Sequence, residues 1–168
     1  MERTGGKRRK SRLLRDELPA ADALVVLRAA AADREHTIRN AVEDAVDSGA
    51  TYVIMRPDGN REVLYGISVF AQRQGVGVGE VLRLFPRSPS FFRVSVAAIR
   101  TAGFEVLPTG SNPDHYDVQL LPDRFEGVDP EGGREELRGA VLRLLLTAGE
   151  LHPNPAYAGE RHDPEGRR

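Results

Sequence analysis

The order of its apolar segments predicts that this chain is an α+β protein, a single domain with a largely antiparallel sheet of five to six strands and about four covering helices. Two pairs of strand-like runs carry the prediction. Residues 51–55 and 61–70 flank RPDGN, and residues 104–108 and 115–121 flank TGSNPD. Tight polar turns of this kind join antiparallel neighbours, and Asp-Gly is a strong short-range hairpin signal. The helical patterns do not follow every strand, so the sequence lacks the steady strand–helix alternation of a parallel doubly wound sheet. The length of 168 residues suits one domain, which buries roughly 70% of its unfolded surface and needs no disulfide or metal to fold.

The elements follow in chain order. ALVVLR (23–28) is an apolar run after Pro19 and reads as a buried strand. DREHTIRNAVEDAVDSG (33–49) is the clearest helix, with Asp33 to cap it, an apolar face of Ile38, Ala41, Val42, Ala45 and Val46, and Gly49 to stop it. TYVIM (51–55) and REVLYGISVF (61–70) form the first hairpin, and a short helix follows at 79–85. SFFRV (90–94) is a strand, Ser95 caps a helix over 96–102, and Gly103 closes it before the strand FEVLP (104–108). HYDVQLL (115–121) is its hairpin partner, residues 122–133 are an acidic loop, and 134–148 are an amphipathic helix that buries Leu137, Val141, Leu144 and Leu145. The predicted order is β-α-β-β-α-β-α-β-β-α, with no internal repeat.

The ends differ in character from this block. Residues 1–17 hold seven basic side chains against three acidic ones, a balance of +4 in a chain whose net charge is −1. They read as a basic disordered tail, and residues 3–15 as a weak, non-specific contact for nucleic-acid phosphates. The ordered domain is expected over 18–149. Residues 150–168 are expected to form at most a hook at HPNPAY and then a disordered tail. The chain contains no cysteine, which removes disulfides, thiol nucleophiles and cysteine-ligated zinc and fits a reducing compartment. No apolar run approaches a membrane span of about 20 residues, and the N-terminus lacks a signal peptide's apolar stretch, so a cytoplasmic protein without membrane contact is expected.

The stretch YGISVFAQRQGVGVG (65–79) resembles a phosphate-cradling loop only in outline. Gly75, Gly77 and Gly79 alternate, whereas a dinucleotide loop needs G-x-G-x-x-G and a triphosphate loop needs G-K-[ST]. Glu80 would put a negative charge where phosphate should sit and instead suits the positive end of a helix dipole. The glycines are therefore a hinge into a helix.

Four histidines without an H-E-x-x-H motif give no reason to expect a metal. Strand alternation puts His115, Asp117 and Gln119 on one face, a general base beside an orienting carboxylate or simply the wet side of a half-exposed strand. Arg28 closes the run VVLR, from which a guanidinium could take a phosphate bidentately at a sheet edge or form a rim salt bridge. Ser68 shares a face with Gly66 and Phe70, opposite Tyr65, Ile67 and Val69. A small polar residue beside glycine permits close approach of a ligand, or is a tolerated core residue.

The segments VLR (26–28) and YGISVF (65–70) resemble the first two signatures of ADP-ribosyltransferases. The resemblance implies that NAD is the cofactor, that Arg28 and Ser68 bind it with Gly66 and Tyr65 nearby, and that a carboxylate near 105–119 is catalytic. Only one serine of that family's S-T-S pattern is present and its Q-x-E or E-x-E motif is absent. The nearest groups are Glu105, Asp117 and Gln119. The longer pattern LVVLR…YGISVF…AGFEVLPT…HYDV, residues 24–121, is also similar to a family of small actinobacterial α+β proteins and implies no mechanism.

Three functions follow as expectations. The first is a small toxin-module-type bacterial enzyme that transfers ADP-ribose from NAD to a macromolecule, with Arg28, Ser68 and an acid among Glu105 and Asp117. The second is a metal-independent endoribonuclease with His115 as base, arginines against the scissile phosphate and the basic N-terminus capturing RNA. The third is a non-catalytic antitoxin-like or regulatory module that binds a neighbour-encoded protein partner, for which the consecutive Phe91 and Phe92 offer an exposed contact.

Overall fold

In a computed structural model of the chain, residues 11–46, 52–121 and 130–159 are described. The fold is α+β. In chain order it comprises β1 (Ser11–Leu13), β2 (Val25–Ala30), α1 (Arg34–Val46), β3 (Tyr52–Met55), β4 (Arg61–Gln72) and α2 (Val78–Leu82). It continues with β5 (Ser90–Ser95), α3 (Val96–Thr101), β6 (Glu105–Pro108), β7 (His115–Leu121), α4 (Pro130–Ala148) and β8 (His152–Pro153). Six strands of four residues or more, β2 to β7, pair antiparallel, and the two short ones, β1 and β8, extend the sheet.

Both expected hairpins form. β3 pairs with β4 across RPDGN, and β6 pairs with β7 across TGSNPD. The caps also fall where the side chains dictate. Asp33 Oδ1 accepts the backbone N–H of His36 at 2.8 Å, and Ser95 Oγ accepts that of Ala98 at 3.2 Å, each satisfying a donor with no partner inside its helix. At the other end of α3, Gly103 adopts φ +94°. The N–H of Phe104 reaches the carbonyl of Ile99 and that of Gly103 reaches Arg100, a double closure that needs a left-handed residue at this point. Phe104 and Ile99 then bury together in the core, and this fixes the direction in which β6 leaves the helix.

Alternation along the strands divides the core. On one face Val26, Val69, Phe92, Val94 and Val118 pack under α1, α3 and α4, with Ile99, Leu137 and Leu144 from the helices. On the other, Leu27 and Phe91 pack against Val81 and Leu82 of α2. Phe91 and Phe92 are thus both buried, at 7% and 1% exposure, and the expected exposed contact at these residues is not there. Each phenylalanine seals a different core because consecutive strand residues point to opposite faces.

A second correction concerns the N-terminus. Residues 11–17, expected to belong to the N-terminal tail, are described and carry β1, which runs parallel to β3, Ser11 opposite Val53 and Leu13 opposite Met55. Leu14 bridges to Thr109 just past β6, and the N–H of Gly110 reaches the carbonyl of Leu13. The pairings β1–β3–β4–β7–β6 therefore return to β1 and close a ring of five strands. β4 belongs to the ring and to the outer strands at once: Phe70 pairs with His115 of β7 on one edge and with Leu27 of β2 on the other. The expected tails at 1–10 and 160–168, the helix stop at Gly49 and most of the acidic loop at 122–129 lie outside the described residues. The hook at HPNPAY is ordered: β8 pairs with β5, and buried Asn154 donates to the carbonyls of Phe85 and Ser88.

Candidate functional site

Four of the ring's strands, or the residue just past one, send a polar side chain to a single point. Ser68 of β4 stands opposite Asp117 of β7, and Thr109, one residue past β6, lies across from His115. Arg12 of β1 completes the group. Its Nη1 donates to Ser68 Oγ at 2.8 Å and to Asp117 Oδ1 and Oδ2 at 3.1 and 3.3 Å, and it lies 2.5 Å from His115 Nε2. Thr109 Oγ1 donates to Asp117 Oδ2 at 2.6 Å.

Asp117 is fully buried, and Thr109 is too. A carboxylate taken out of water costs several kcal/mol unless its oxygens are matched. Arg12 supplies the counter-charge and Thr109 the second donor, which is why the face expected to be solvated is instead enclosed. The bonds also fix the histidine. A guanidinium only donates, so the Nε2 that faces Arg12 carries the lone pair. The proton then sits on Nδ1, which points at the carbonyl of Thr109 at 3.0 Å. Burial lowers the His115 pKa below its ordinary value, and the Arg12 and Arg15 cations push the same way, outweighing the Asp117 charge and the Thr109 carbonyl. The imidazole is thereby held neutral, with a basic nitrogen aimed at Ser68 Oγ 3.0 Å away.

His115, Arg12 and Phe70 line an open cleft of about 540 Å³, together with Gly110 and Asn112 of the TGSNPD loop. The Phe70 ring meets the imidazole edge-on at 5.1 Å and the Phe85 ring in a second edge-to-face contact at 5.4 Å. The loop is anchored from inside. Arg15 donates to the carbonyls of Thr109, Asn112 and His115 through Nη1 and of Pro113 through Nη2, at 2.6 to 3.1 Å. Arg73 ion-pairs with Asp114. Gly110 turns the chain at φ +77°, a conformation that other residues adopt only with strain.

The residues read from the sequence separate into two groups. His115, Asp117 and Ser68 converge. Arg28 does not join them: it sits within β2, between β4 and β5, not at a sheet edge. Its position alternates with Val26 and Ala30 of the main core, while Ser68 alternates with Phe70 on the other face. β2 stops pairing with β4 at Leu27, and Arg28 Nη1 donates to the carbonyl of Ser68 at 2.8 Å. Tyr65 is half-buried against the main core, and Gly66 is buried at a bulge in β4. Glu105 pairs in register with Gln119, four residues or roughly 13 Å along the strand from Thr109. Its carboxylate is 53% exposed and ion-paired with Arg100. Among the described residues no group of three or more His, Cys, Asp or Glu is placed to hold a metal ion, and no helix is long and apolar enough to cross a membrane.

Arg12, Thr109 and Phe70 were not singled out from the sequence. Thr109 was within reach, since extending the expected hairpin by one pair puts it opposite His115. Arg12 was not: three residues of strand leave no readable period, and the lysines and arginines around it suggest a tail. Protein-family models, curated proteins and solved structures give no match to this chain.

Proposed function

We propose that the cleft cleaves RNA without a metal, with His115 as general base and Arg12 as the anchor for the scissile phosphate. The observation that carries this reading is the contact between Arg12 Nη1 and His115 Nε2 at the cleft wall. It puts a fixed cation over the acceptor nitrogen of a neutral imidazole, and both residues line the cleft. An entering phosphodiester takes the N–H groups of Arg12 and so uncovers the Nε2 lone pair. His115 then removes the proton from the ribose 2′-OH, and the 2′-oxygen attacks phosphorus. The P–O5′ bond breaks, and the leaving oxygen takes a proton from the imidazolium or from water. The products are a 2′,3′-cyclic phosphate and a 5′-hydroxyl.

Positioned base catalysis contributes about 10²–10⁴-fold, and one preorganised charge on the phosphate contributes about 10²–10³-fold. Phe70 at the cleft offers an aromatic edge to a base, a contact that is worth about 1–3 kcal/mol where bases stack. Lys7, Arg8, Arg9 and Lys10 lie within five residues of Arg12 in sequence. Their charge favours capture of a polyanion. The test is cleavage of single-stranded RNA in the presence of a chelator, comparing the native chain with His115→Ala. Cleavage that depends on His115 and on the 2′-OH supports the reading; cleavage of DNA at the same rate, or cleavage by His115→Ala, contradicts it.

A further inference from the structure

Cleavage by Arg12 and His115 leaves Asn112, which lines the same cleft, without a task. Asn112 lies on the loop between β6 and β7 and is exposed, yet its position is fixed. Its backbone carbonyl accepts from Arg15 Nη1 at 2.7 Å and from the N–H of His115 at 3.1 Å. Its side-chain Oδ1 accepts the N–H of Asp114 at 2.9 Å. Pro113 follows it and disfavours a helical backbone at the residue before. The side-chain bond also decides which way the amide is turned. A backbone N–H needs an acceptor, so the oxygen faces Asp114 and the NH₂ group is the other end. Among the described residues that NH₂ group has no partner.

We infer that the cleft prefers uracil or guanine to cytosine or adenine, and that Asn112 makes the choice. The inference rests on the reading of this cleft as an RNA site and names the base it accepts. Asparagine usually reads adenine with both ends of its amide, accepting from N6 and donating to N7. With Oδ1 engaged by Asp114, the donating end is the one Asn112 offers. Its N–H groups suit O4 of uracil or O6 of guanine. At the same positions cytosine and adenine carry amino groups, and a donor set against a donor leaves both unpaired. The rest of the lining does not choose. Phe70 gives any base an aromatic contact, since every base has a π-face. The Ser111 hydroxyl both donates and accepts, and a volume of about 540 Å³ admits a base of either size.

Single-stranded DNA oligonucleotides with one ribonucleotide, U, G, C or A, test this, because only that position supplies a 2′-OH. The full chain is expected to cleave at U and G with a kcat/KM about tenfold above that at C and A. Asn112→Asp keeps an acceptor for the Asp114 N–H and replaces the donor by a second acceptor, which suits the amino group of cytosine. It is expected to lower every rate on the polyanion and to turn the preference toward C and A. Calorimetric titration with the four nucleoside 3′-monophosphates gives a ranking that needs no cleavage. Tighter binding of 3′-UMP and 3′-GMP without cleavage supports the base preference while contradicting catalysis, so the two readings fail separately. Rates and affinities indifferent to the base, a preference for C or A in the native chain, a preference unmoved by Asn112→Asp, or no binding of any nucleotide overturns the inference.

Discussion

Arg12 Nη1 lies 2.5 Å from His115 Nε2, a cation set against a histidine lone pair. The same nitrogen lies 3.1 Å from Asp117 Oδ1, so one guanidinium both fixes the histidine tautomer and neutralises a buried acid.

Removal of that cation is expected to be expensive. Arg12→Ala leaves Asp117 buried and uncompensated, and breaking a buried pair from one side costs about 3–5 kcal/mol. Urea unfolding reads this directly. A loss below about 1 kcal/mol would mean that β1 is not part of the fold in solution.

The depressed pKa of His115 gives a signed pH dependence. Burial lowers the folded value below the reference of 6.5, so in the window just below that reference the unfolded chain binds the extra proton. Stability is therefore full above about 6.5 and falls as pH drops toward the folded pKa, with a slope of up to about 1.4 kcal/mol per pH unit. His115→Gln should remove this component from stability measured between pH 7 and 5. The acid limb of kcat/KM for RNA cleavage should likewise lie below 6.5; a limb above it contradicts a neutral, buried base.

Thr109 is fully buried and donates to Asp117 at 2.6 Å. Thr109→Val keeps the shape and deletes the donor, with an expected loss of about 1–3 kcal/mol. Thr109→Ser should recover most of it in thermal unfolding. Equal losses in both variants would show that packing, not the hydrogen bond, sets the cost.

How far the sequence could be read depends on how each residue is fixed. Hairpins, caps and helix faces are local, so Asp33, Ser95, Gly103 and the RPDGN turn declared their elements and the α+β class with them. His115, Asp117 and Ser68 were visible because strand alternation gathers polar residues on one face. Whether that face was wet or enclosed was not visible, because it depends on β1 closing the ring from more than fifty residues away in sequence. Arg28 misled for a related reason. Its position beside Ser68 is real, but the two side chains leave opposite faces of the sheet and only a backbone carbonyl joins them.

Two glycines should respond in opposite directions to alanine. Gly110 has φ +77°, so Gly110→Ala is expected to cost about 1–2 kcal/mol through backbone strain and to perturb the loop that lines the cleft. Gly139 lies inside α4, with nothing within 4 Å of an added Cβ, so Gly139→Ala is expected to stabilise by about 0.5–1 kcal/mol. Chemical denaturation of the two variants side by side checks both signs.

The central claim is that His115 is a catalytic base acting on an RNA phosphodiester next to Arg12. Its most direct measurement is end-group analysis of a single-stranded RNA incubated with the full chain and a chelator, alongside the same oligonucleotide with 2′-deoxy substitution and the His115→Ala protein. The account predicts 2′,3′-cyclic phosphate and 5′-hydroxyl ends from the native chain, with neither the deoxy substrate nor the variant giving product. An intact RNA under these conditions, or products that persist without His115, would contradict it.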